Sequence, residues 1–151
     1  MCGIIGYLNK NINRQAPLGE ICYRMLSALA RRGPDSAGLA TFGTSNNSRL
    51  VLCIKLDEKE NLEDQTANVL EKINVLTHVH EQLTTKEYLR LVVESVEDSD
   101  ALIAQVESTA KEVELVSLGT QLEIIKQVGS PDNLERHYGI RSKSGTHAIG
   151  H

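Results

Sequence analysis

The chain has 151 residues, 40% of them hydrophobic and 24% charged, with a formal net charge of -4. These values describe an ordinary globular chain of about one domain, long enough to bury a core built mostly from Leu, Ile, Val and Ala. Basic residues are scattered, which excludes the footprint of a nucleic-acid binder, and no apolar run approaches a membrane span or a signal peptide, so cytoplasm is the expected location.

Gly3 to Leu8 reads as a strand with Ile4, Ile5, Tyr7 and Leu8. After a polar loop, Pro17 opens a helix whose apolar stripe is Ile21, Met25, Leu26 and Leu29. Gly33 and Pro34 end it, and Leu39 to Phe42 forms a short strand. Leu50 to Leu56 reads as a strand, and Leu62, Val69, Leu70 and Ile73 as an amphipathic helix. Val75 to His80 alternates as a strand would, and Thr84-Thr85-Lys86 turns a hairpin into Tyr88 to Val93. Asp98-Ser99-Asp100 caps a helix carrying Leu102 and Val106, and Val113 to Leu118 is a further strand. The order β-α-β-β-α-β is the ferredoxin-like pattern. Leu122 to Lys126 is another strand, Ser130-Pro131-Asp132 starts a helix ending near Gly139, and Thr146 to His151 closes the chain as a strand.

Cys2, Cys22 and Cys53 make an odd count without tight spacing, which argues against a disulfide framework or a structural zinc site. Cys22 and Cys53 sit among apolar neighbours and read as core residues, whereas Cys2 follows only the start methionine. A thiol attacks as thiolate, so it needs a base. Once Met1 is removed, the α-amine of Cys2 supplies one, and Gly3 beside it lets a substrate approach closely. The competing reading is an incidental cysteine at a frayed terminus.

Two further segments shift that balance. Met1-Cys2-Gly3-Ile4-Ile5-Gly6-Tyr7, then Arg32-Gly33-Pro34-Asp35-Ser36-Ala37-Gly38, then Gly145-Thr146-His147-Ala148-Ile149-Gly150-His151 resemble, in order and spacing, three sequence blocks of the class II glutamine amidotransferases. Lys126 to Pro131 with the third block looks most like the small glutamate-synthase-type members. The resemblance implies an α+β fold: an N-terminal nucleophile hydrolase αββα sandwich, here incomplete. Residues 1–44 and 120–151 would belong to it, and 45–119 would be the inserted ferredoxin-like module, placed at a hairpin tip where insertions are tolerated. It implies that Cys2 attacks the side-chain amide of glutamine and that ammonia passes to a synthase domain or partner subunit. It implies no cofactor, and assembly into a homo- or hetero-oligomer is an expectation. Arg32, with Gly3, is expected to support the site, and Asp35 and Ser36 to fix a turn.

The family pattern continues beyond His151 with Thr-Arg, an Asn-Gly oxyanion pair and an aspartate, none of which is in this sequence. The expectation is therefore a truncated, split or fragmentary chain, inactive by itself, because each lost oxyanion donor costs roughly a hundred- to a thousand-fold in rate. The alternatives are a non-catalytic regulatory or assembly subunit that keeps the fold, and a small ligand-binding protein built around the inserted module. The module is expected to dock a partner or bind a regulator. His78 and His80 read as surface histidines rather than metal ligands, since no third ligand is evident nearby, and no metal site is expected.

Overall fold

A computed structural model describes residues 3–11, 16–30, 35–43 and 48–151. The chain divides into two compact units, 1–44 with 121–151, and 45–120.

The first unit contains β1 (Ile5–Leu8), α1 (Leu18–Leu29), β2 (Ser36–Phe42), β7 (Leu122–Val128), α4 (Pro131–Tyr138) and β8 (His147–Gly150), with a short 3-10 turn over Ile140–Ser142. The second contains β3 (Arg49–Lys55), α2 (Leu62–Leu76), β4 (Val79–Thr85), β5 (Tyr88–Glu94), α3 (Ser99–Glu107) and β6 (Glu114–Gly119).

In the first unit the sheet order is β1-β8-β2-β7 and every pair is antiparallel. Alternate residues point to opposite faces of a strand. Ile5, Ala37, Leu39, Ile125 and Ala148 therefore share one face, where they pack with Leu18, Cys22 and Leu26 of α1 and Leu134 of α4. The other face is apolar and bare: Ile4, Leu8, Val128 and Ile149 are 80%, 62%, 75% and 55% exposed. Pro131 begins α4 and Gly139 ends it in the left-handed conformation at φ 56°, the arrangement that a preset φ and an absent Cβ favour.

In the second unit the order is β4-β5-β3-β6, again antiparallel. Leu52, Ile54, Leu89, Leu91 and Val93 form a buried layer with Val69 and Ile73 of α2 and Leu102 and Val106 of α3. Asn61 caps α2 by accepting from the amides of Glu63 and Asp64 at 2.9 and 3.2 Å, and Asp98 caps α3 by accepting from that of Ala101 at 3.0 Å. One local expectation changes. Val75 and Leu76, read from sequence as strand, complete α2 instead, and the chain becomes extended only at Thr77. The reason is tertiary: Val69 and Ile73 lie four apart and fully buried, so the helical phase carries on past Ile73.

Candidate functional site

The described residues of the three sequence blocks lie along three adjacent strands. β8 lies between β1 and β2, with Ile5 opposite Gly150 on one side and Leu39 opposite Gly150 on the other. Because both pairings are antiparallel, β1 starts, β2 starts and β8 ends at the same end of the sheet. β7 also finishes there, since Ser36 pairs with Val128 and the Gly129 amide donates to the Asp35 carbonyl at 3.0 Å.

Close strand approach explains two glycines in these blocks. A Cβ on Gly150 would sit 2.9 Å from the Gly38 carbonyl oxygen and 3.2 Å from side-chain carbons of Ile5 and Leu26. A Cβ on Gly38 would sit 2.9 Å from His151 Nε2, while the two backbones exchange N–H···O bonds of 2.9 and 3.0 Å. Gly3 faces α1, and a Cβ there would come within 2.8 Å of the Leu29 side chain.

Cys2 and Arg32 lie outside the described residues, as do Gly33 and Pro34. Gly3 and Asp35 lie at the shared end of the sheet. An open groove of about 380 Å³ runs along the bare face here, bordered by Ile4, Ala40, Ile124, Lys126, Ile149 and His151.

Behind the sheet a polar network ties α1 to α4 and the 3-10 turn. The Tyr23 hydroxyl donates to Asp132 at 2.5 Å, and Glu20 accepts from Arg24 at 2.7 Å and from Arg141 at 2.6 Å. The Arg141 guanidinium lies over the Tyr23 ring at 5.2 Å. Hydrogen bonds from Arg141 and Arg24 hold the Glu20 carboxyl below its usual range. The bond to Asp132 raises the Tyr23 phenol. The buried Cys22 thiol is pushed up by desolvation, which suits a core residue. Sequence reasoning missed this network because its members are separated by up to 121 positions.

The histidines separate. His147 stacks on Phe42 with centroids 4.1 Å apart, on the same bare face as His151. His78 and His80 meet edge to face at 4.9 Å, and His80 Nε2 lies 3.5 Å from Glu94. Among the described residues no three His, Cys, Asp or Glu side chains are grouped to hold a metal ion, and no helix is long and apolar enough to cross a membrane.

No profile of a known protein family matches the chain. It is 33% identical, over 159 aligned positions covering all of this chain and 51% of the other, to a protein of Methanothermobacter thermautotrophicus named putative glutamine amidotransferase. It is 29% identical, over all 151 residues and 49% of the other, to the glutamine amidotransferase-like protein GlxB of Rhizobium meliloti. The chain spans about half the length of the curated relatives it matches. Similarity to two proteins so named, in each case along the whole chain, supports a glutamine amidotransferase family for this protein.

Proposed function

We propose that this chain carries the nucleophile-bearing part of a class II glutamine amidotransferase domain, with Cys2 as nucleophile after removal of Met1. The observation that carries the reading is the convergence of the three blocks on one end of one sheet, reached from positions more than 100 residues apart in sequence. Gly3 and Asp35, which border the undescribed Cys2 and segment 31–34 in sequence, and His151 of the third block all lie at that end, which supports the reading.

The chemistry follows from the freed terminus. The α-amine of Cys2 takes the thiol proton, and the thiolate attacks the carboxamide carbon of glutamine. The C–N bond breaks, the leaving nitrogen takes the proton, and ammonia departs from a glutamyl thioester. Water then releases glutamate and restores the thiol. Ammonia is consumed by an acceptor on a synthase domain or partner subunit. In this reading Arg32, with Gly3, supports the site.

The fold reading is proposed on the same footing. A sheet with helices on one face and exposed Ile4, Leu8, Val128 and Ile149 on the other has the form of one layer pair of an αββα sandwich. Residues 45–120 run β-α-β-β-α-β with sheet order β4-β5-β3-β6, which supports a ferredoxin-like module inserted between β2 and β7.

A glutamine-shaped electrophile such as a diazoketone analogue tests the site. Peptide mapping should place the adduct on Cys2 and leave Cys22 and Cys53, both buried, unmodified. Labelling of neither Cys2 nor its amine, in protein shown to lack Met1, contradicts the reading and favours an assembly or regulatory role.

A further inference from the structure

We propose that Cys53 and Ser117 form an oxidation site in the second unit, where hydrogen peroxide converts the thiol to a sulfenic acid whose oxygen the serine hydroxyl holds. Both residues lie on the sheet face away from the helices. Leu52 and Ile54 belong to the buried layer with α2 and α3, so Cys53 between them points to the opposite face. Ser117 stands directly opposite Cys53 in the β3–β6 pairing and shares that face. The register shifts at the next position, where Ile54 pairs with Leu115, so Val116 is the extra residue of a β-bulge. The bulge lets Leu115 pack against the core while Ser117 faces the thiol.

Ser117 is 7% exposed, and its Oγ is buried without a hydrogen-bond partner among the described residues. An orphan hydroxyl inside a fold costs free energy, and its position beside a sulfur points to a polar atom that the free thiol lacks. Cys53 is 5% exposed, against 0% for Cys22 in the core of the first unit. That residual opening suits a molecule of two oxygens and excludes a glutamine-sized electrophile. Positive charge shares the face: Arg90 is opposite Cys53 in β5, and Lys55 is two positions on in β3. Cations placed so favour the thiolate, which is the attacking form. Arg90 also meets Glu81 at 3.4 Å, and Lys55 pairs in register with Glu114. The Tyr88 phenol on this face is pushed up by burial first and then by Glu87, Glu114 and Cys53, so it lies within electrostatic reach of the thiol.

In the reaction Cys53 gives up its proton and its sulfur attacks one peroxide oxygen. An S–O bond forms, the O–O bond breaks, and the departing hydroxide takes the proton as water. Sulfur is oxidised by two electrons and peroxide is reduced by two. The Ser117 hydroxyl then donates to the sulfenic oxygen and is no longer orphaned. Cys22 is the contrasting case, a thiol sealed in an apolar core and pushed up by desolvation.

The test treats the full chain with hydrogen peroxide, traps sulfenic acid with dimedone and digests with trypsin, which places Cys22 and Cys53 in different peptides. The expected result is a dimedone adduct on Cys53 and none on Cys22. Ser117→Ala should lower the Cys53 adduct yield about fivefold, the scale of one hydrogen bond. Its urea midpoint should equal or exceed that of the wild type, because the variant removes an orphan hydroxyl. Ser117→Thr, which keeps the hydroxyl, should keep the yield. Recovery of Cys53 as free thiol overturns the assignment, as does equal labelling of Cys22 and Cys53, the mark of oxidation through unfolding. An undiminished yield in Ser117→Ala overturns it as well, and so does a lowered midpoint, since the hydroxyl would then already have a partner. None of these results bears on the functional reading above.

Discussion

Gly38 and His151 face each other across β2 and the end of β8, exchanging backbone hydrogen bonds of 2.9 and 3.0 Å, with the His151 ring lying where a Gly38 side chain would be. The pairing joins the second sequence block to the third. It also sets a contrast with the neighbouring glycine. At Gly38 an added methyl meets the far end of a side chain that can rotate away, whereas at Gly150 it meets the Gly38 carbonyl, which cannot.

Gly38→Ala should therefore cost less than about 1 kcal/mol, while Gly150→Ala should cost about 2 kcal/mol or more, because overpacking against fixed backbone is relieved only by moving the strand. Urea denaturation of the two variants measures the difference. Equal costs would show that the β8–β2 spacing adjusts freely.

The Glu20 pair with Arg141 gives a pH signature. The folded-state carboxyl titrates below its unfolded value, so its contribution to stability is present above the unfolded value and disappears as pH falls through the folded one. Glu20→Gln should lower the urea midpoint at neutral pH and become indistinguishable from wild type in acid. The side chain is accessible, so the gap should also shrink in high salt. A gap that widens on acidification would reverse the assigned sign.

Residues 45–120 hold a complete buried layer of their own, with Leu52, Leu91 and Leu102 inaccessible to solvent. Produced alone, the segment should unfold cooperatively, and Leu91→Ala should cost about 2–5 kcal/mol, the range for a truncated core leucine. Circular dichroism against urea reports both. A segment without a cooperative transition would mean that its buried layer is insufficient by itself.

Much of the local structure was legible. Asp98 does cap α3, and Pro131 and Gly139 do bound α4, because these signals act through their own backbone neighbours. The stretch from Val75 to His80 was not legible in the same way. Its alternation imitates a strand, but the buried faces of Val69 and Ile73 hold the helix through Leu76. Strand neighbours were harder still: nothing in β1 itself announces that it pairs with residues 147–150. Asn133 passed as an ordinary helix residue because its bond to the Val128 carbonyl, at 3.1 Å, depends on the turn at Gly129. A Gly with Asn four positions on, flanking a Pro helix start, was the available signal.

The central claim concerns the Cys2 sulfur. Glutamine hydrolysis should be measured in native-length protein with Met1 removed, comparing wild type with Cys2→Ala. The account predicts loss of turnover to background in the variant, on the order of a thousand-fold or more, with an unchanged melting temperature. Turnover at a wild-type rate in the Cys2→Ala protein would contradict it.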